Sequence, residues 1–185
     1  MTMNRRDALK SVMAMMGGTM VGATAFLTGC APEYQIEGLN FSPEDIAFLD
    51  EIGDTIIPQT DTPGAKATGI GAFMVMMVLE TYDAVQQKVF VDGLNMIRKD
   101  FKSTKDSDFV EALQEDRLAY LNAMNDQFKT SKGEEAKVVD MLRDLTVLGY
   151  FTSEIGATQA LTYVEVPGKF EASIPWSESD KAFAI

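Results

Sequence analysis

From Ser42 onward, apolar residues recur three or four positions apart, the spacing that places them on one face of a helix. Ser42-Pro43-Glu44-Asp45 is a strong helix start, with a capping serine, a proline suited to the first turn and acids that complement the dipole. Ile46, Leu49, Gly53, Ile56 and Ile57 then fall on one face, with Asp45, Asp50, Glu51 and Asp54 elsewhere, until Pro58 stops the helix. After a loop over 58–71, the segment from Ile70 to Tyr82 is too long and apolar for an ordinary strand and reads as a buried helix. Phe90, Leu94, Ile97 and Phe101 mark a third helix over 83–101, followed by a polar break at 102–108. Val110, Leu113, Leu121, Met124 and Phe128 make the stripe of a fourth, which Arg117 interrupts. After a break at 130–133, Val138, Met141, Leu142, Leu145, Leu148 and Gly149 form the cleanest amphipathic face, opposite Lys137, Asp140, Arg143 and Asp144. That helix runs into 149–163. A turn at Pro167-Gly168 between short extended pieces follows, then a peripheral tail over 177–185. The expected fold is all-α, a single domain of about five helices with an irregular C-terminal segment and no internal repeat.

The first thirty residues follow a different pattern. Arg5 and Arg6, with Leu9 and Lys10 behind them, precede nineteen uncharged residues, Ser11 to Gly29, which are softened by Gly17, Gly18 and Gly22. An arginine pair before a glycine-softened apolar run resembles a twin-arginine export signal, although Asn4 and Ala8 stand where the usual pattern has Ser or Thr and Phe. Leu27-Thr28-Gly29-Cys30 resembles a bacterial lipobox, in which the cysteine thiol receives a diacylglyceryl group. An uncleaved membrane anchor is the plainer alternative, since about 20 apolar residues span a bilayer. The expected organisation is a signal peptide over 1–29, a lipidated tether over 30–41 and a helical domain over 42–185. The mature chain would have 156 residues, with 13 basic and 27 acidic side chains and a net charge of −14. Its place would be the periplasm, held at a membrane by lipid on Cys30. Ala31 after that cysteine favours the outer membrane.

Composition narrows the chemistry. The chain of 185 residues is 46% apolar and carries a net charge of −12, which argues against a nucleic-acid partner. It has no histidine, so imidazole bases, the usual zinc ligands and c-type haem attachment are missing. The lone Cys30 cannot form an intrachain disulfide and has no histidine to activate it. Acid pairs such as Asp50/Glu51 and Glu115/Asp116 sit on predicted solvent faces, whereas a general acid needs an apolar pocket. Of the twelve methionines, Met13, Met15, Met16 and Met20 lie in the signal, and Met74, Met76 and Met77 read as core.

Two stretches stand apart. In 58-PQTDTPGA-65, Pro58 and Pro63 fix φ and Gly64 permits a tight turn, giving either a rigid helix connection or a preorganised docking edge. In 149-GYFTSEIGA-157, two glycines bracket Tyr150 and Phe151, residue types that cap cores and also anchor interfaces.

These runs, within 48-FLDEIGDTIIPQTDTPGA-65 and 145-LTVLGYFTSEIGA-157, together with 87-QKVFVDGLNMI-97 and 163-YVEVPGKFE-171, resemble the gluconate 2-dehydrogenase subunit 3 family over about residues 43–171. The resemblance implies the small subunit of a membrane-associated dehydrogenase. Its large partner would be an FAD-containing subunit of the glucose–methanol–choline oxidoreductase class acting on sugars or polyols, and a multihaem cytochrome c often takes the electrons. The small subunit would carry the export signal for the folded flavin subunit and stay bound to it. No catalytic, cofactor-binding or metal residues carry over, so the chain itself is expected to have no active site and no cofactor. By motif position, Pro58, Asp61, Thr62, Pro63, Gly64, Gly149, Tyr150, Phe151, Thr152, Ser153 and Gly156 are interface or fold-defining residues. The alternative is a stand-alone periplasmic lipoprotein with a structural or binding role.

Overall fold

In the computed structural model, residues 35–36, 39–128, 133–166, 168, 173–175, 177–178 and 180–184 are described. The export signal and Cys30 lie outside them, as do Pro167 and residues 169–172 of the expected turn, although Gly168 has a left-handed φ of 64°. Short strands β1 (Gln35–Ile36) and β2 (Leu39–Asn40) occupy part of the expected tether. The helices all belong to one unit, residues 36–185.

Helix α1 spans Pro43–Ile56 and begins on a reciprocal capping box: Asp45 N–H donates to the Ser42 hydroxyl (3.2 Å), and Ser42 N–H donates to the Asp45 carboxylate (2.8 Å). Its buried side is wider than the sequence stripe and turned from it. Phe48, Leu49, Glu51, Ile52, Gly53 and Thr55 are buried, while Ile46, Ile56 and Ile57 are only half-buried. The reason is its position: α1 packs against three later helices, so one stripe cannot describe it.

Helix α2 (Ile70–Thr81) is the expected buried helix, with Ile70, Met74, Val75, Val78 and Leu79 buried, although Met76 and Met77, expected in the core, are only half-buried. Helix α3 (Ala84–Lys105) starts on a second capping box, Asp83 with Gln86, and buries Phe90, Leu94, Ile97 and Phe101 as the stripe predicts. It outruns the predicted break. Lys102 and Lys105 complement the dipole of the last turn, and Asp106 ends the helix at a left-handed φ of 51°.

Helix α4 (Gln114–Phe128) departs most from expectation. Only Tyr120 and Met124 are buried along it, and Val110 and Leu113 precede it in exposed positions. The side chain that seats this end of the core is Phe109, whose ring meets Phe48 at 5.2 Å and Phe101 at 4.9 Å, edge to face. Helix α5 (Glu134–Thr152) buries Val138, Leu142, Leu145, Thr146, Gly149 and Tyr150, but Leu148, expected on that face, is exposed: the face that packs on α2 is turned toward Thr146 and Tyr150.

Beyond α5 the chain breaks at Ser153, in extended conformation, and turns again through Glu154–Ile155 into a π-turn over Gly156–Ala160. Strand β3 (Thr162–Tyr163) then pairs in parallel with β4 (Phe183–Ala184), Thr162 N–H donating to the Ala182 carbonyl at 2.8 Å. The tail is therefore not peripheral. Backbone pairing fixes it although its side chains bury little, which is why hydropathy missed it.

Candidate functional site

The loop after α1 closes on itself before any side chain contributes. Ile57 N–H returns to the Gly53 carbonyl (2.9 Å) and Ala65 N–H to the Ile57 carbonyl (2.9 Å), so residues 58–64 form a lobe with pinned ends. Thr60 N–H donates to the Thr62 carbonyl (3.0 Å), and the Thr60 hydroxyl to the Asp61 carboxylate (2.9 Å). That bond and the nearby Lys181 charge hold the exposed Asp61 carboxyl below its usual value. Pro58 and Pro63 are half-buried. Gly64 is buried, and a Cβ there would meet the Gln59 nitrogen at 2.7 Å and the Ile57 carbonyl oxygen at 3.0 Å. Only glycine fits that approach. A short 3₁₀ turn, Ala65–Thr68, leads into α2 where an open loop was expected.

The second motif reaches back to the first. Tyr150 is 2% exposed, and its hydroxyl donates to the Pro63 carbonyl at 2.8 Å, 87 residues away in sequence. The Tyr150 hydroxyl also lies 3.5 Å from the Thr62 hydroxyl oxygen. Gly149 lets α5 come this close to α2, since a Cβ there would sit 2.5 Å from both Ile70 Cδ1 and Phe73 Cδ1. Ser153 closes the helix: its hydroxyl donates to the Tyr150 carbonyl (2.7 Å) and accepts from Gly156 N–H (3.0 Å). Gly156 packs on the Tyr150 backbone with no room for a Cβ.

The sequence left these residues as interface or fold, and burial and hydrogen bonding divide most of them, with Pro58, Thr62 and Pro63 half-buried between the two groups. Gly64, Gly149, Tyr150, Ser153 and Gly156 hold the fold. Asp61, Phe151 and Thr152 face outward, with Phe151 standing edge-on against Tyr150 at 5.1 Å between centroids.

Sequence reasoning missed an ion cluster. Glu51 was placed on a solvent face, yet it is 8% exposed and accepts from both Lys66 and Arg117, joining α1, the 3₁₀ turn and α4. Burial pushes its carboxyl up, but the two cationic donors outweigh it and hold the group below its usual value. The clue lay in two anomalies: a glutamate between apolar Leu49 and Ile52, and an arginine inside the α4 stripe. Asp50 beside it caps α2 by accepting from Gly71 N–H (2.7 Å), and burial raises its carboxyl.

Two other surfaces complete the picture. A half-open cavity of about 270 Å³ lies between α1, α4 and α5, floored by Ile52, Met124 and Leu142 and edged by Asn122, Asn125 and Arg143. Its volume lies just below the range of about 300–1,000 Å³ usual for ligand sites. On the outer side of α5, Val147, Leu148 and Phe151 are 43, 45 and 38% exposed. Among the described residues no cluster of three or more metal-ligating side chains occurs, and no helix is long and apolar enough to cross a membrane.

No curated protein and no solved structure matches the chain. Residues 43–168 match the family described as Gluconate 2-dehydrogenase subunit 3, a span holding all five helices, the pinned loop and the Tyr150 clasp. The protein belongs to the gluconate 2-dehydrogenase subunit 3 family and, with it, to the small subunits of dehydrogenase complexes.

Proposed function

We propose that the chain is a non-catalytic small subunit of a periplasmic, flavin-dependent dehydrogenase, escorting its folded FAD subunit through twin-arginine export and holding it at the membrane. The observation that carries this reading is the family match across the whole helical domain. The flavin belongs to the large glucose–methanol–choline-type subunit, and a multihaem cytochrome c is the natural electron acceptor. Arg5 and Arg6 direct export and Cys30 takes the lipid. The geometry supports a docking role: a loop already closed by its own backbone and by Tyr150 loses little entropy when a partner covers it.

Deleting the gene and following the flavin subunit by cell fractionation tests the escort role. The large subunit should accumulate in the cytoplasm, folded and loaded with flavin, and Arg5→Lys/Arg6→Lys in the restored chain should reproduce the block. Normal export of the large subunit without this chain would refute the escort role. A small chain that is exported and lipidated without any flavoprotein partner would favour the stand-alone lipoprotein.

A further inference from the structure

We infer that the outward face of α5 at its C-terminal end is the surface that grips the flavin-containing subunit, and that the matching surface there has an apolar centre and a Lys/Arg rim. This rests on the subunit reading above.

Helical geometry puts Asp140, Asp144, Val147, Leu148 and Phe151 on one outward side of α5, opposite the buried Val138, Leu142, Leu145 and Gly149. The helix is therefore apolar on two sides in its last turns. One side fills the core. On the other, Val147, Leu148 and Phe151 form a continuous i, i+1, i+4 cluster, each more than a third exposed. The Phe151 ring is propped by Tyr150, whose own hydroxyl is tied to Pro63. An aromatic side chain already held in place is what an interface anchor requires.

The charges around the cluster decide what covers it. Asp140, Asp144 and Glu154 are exposed on or just past α5, and Asp61 is exposed on the loop that Tyr150 pins. Among the described residues three cations oppose them, the first being exposed Lys137, one turn before Asp140 on the same side of α5. Arg143 is taken up by Asp140 (3.0 Å) and Asp144 (3.2 Å), and Lys181 donates to the Gln159 carbonyl while its charge reaches Asp61. Four carboxylates against three cations leave the rim acidic, the more so beside Val147, Leu148 and Phe151, from which Lys137 lies more than two helical turns away. A second copy of this face would bring like charges together, and anionic lipid headgroups would be repelled. A basic rim on a different protein satisfies both the charge and the apolar centre.

The test co-expresses the full chain, tagged, with its flavin subunit and measures flavin absorbance per mole of purified tag. Leu148→Glu/Phe151→Glu should cut retained flavin about tenfold or more, with the thermal melt and circular dichroism of the chain unchanged. Leu113→Glu, 72% exposed but outside this face, should retain flavin like the parent. Asp140→Lys/Asp144→Lys should also lower retention and flatten its dependence on salt. A folded Leu148→Glu/Phe151→Glu chain retaining as much flavin as the parent would overturn the inference. So would unchanged retention together with lost self-association, or with lost binding to anionic phospholipid vesicles, because the occupant would then be a second copy or a membrane. If the unsubstituted chain retains no flavoprotein, the subunit reading itself fails.

Discussion

The 58–64 loop and helix α4 invert the usual relation between regular structure and rigidity. The loop contains no regular element, yet two backbone bonds close it, the Tyr150 hydroxyl pins it and buried Gly64 fits it against its own backbone. Helix α4 has fifteen residues of regular hydrogen bonding but buries only Tyr120 and Met124. It is fastened by the Arg117–Glu51 pair, leaves Arg117 Nε buried without an acceptor and borders a cavity of about 270 Å³. Both regions carry exposed apolar side chains nearby, Phe151 on one side and Leu113 and Leu118 on the other. A surface becomes preorganised through the side chains beneath it, whatever its secondary structure.

The largest expected effect lies on the α4 side. Arg117→Ala leaves Glu51 with only the half-exposed Lys66 as a partner and should cost about 3 kcal/mol, toward the low end for breaking a buried pair. Denaturant unfolding reads the loss, and amide exchange should rise in α4 before it rises in the 58–64 loop. Gly149→Val attacks the other region by overpacking against Ile70 and Phe73, at about 2 kcal/mol. A melt unchanged by that substitution would mean that α5 can move away from α2 freely. Tyr150→Phe removes one buried hydrogen bond and should cost about 1 kcal/mol, with exchange faster across residues 58–65 and unchanged in α4.

The smallest effect is one of pH. The folded Glu51 carboxyl sits below its ordinary value near 4.5, so its stabilising contribution is complete above that pH and lost as pH falls through the folded value. Asp50, whose carboxyl is raised by burial, works in the opposite direction and blunts the change. Acid titration should loosen α4 first, and Glu51→Gln should remove that pH dependence. A loop that frays before α4 in acid would reverse the ranking of the two regions.

Legibility in sequence followed the same division. The stripe of α3 and the apolar run of α2 were correct because each helix buries side chains in a regular pattern that hydropathy records. The stripe of α4 failed because its inward position at Arg117 is charged and its partner sits far away in α1. The two motifs were recognisable as unusual, but nothing in their spacing says that Tyr150 bonds Pro63. A contact across 87 residues exists only once α1, α2 and α5 have packed. The β3–β4 pairing was invisible for a related reason, since two-residue strands held by main-chain bonds leave no apolar signature.

Amide hydrogen exchange on the full chain, alone and within the complex purified with the proposed flavin subunit, compares the two regions directly. Protection on complex formation should concentrate in residues 144–152 and 58–64 and leave 113–125 as in the free chain. Protection confined to 113–125, with the α5 end and the pinned loop still exchanging as in the free chain, would place the partner on the α4 side and contradict the assignment.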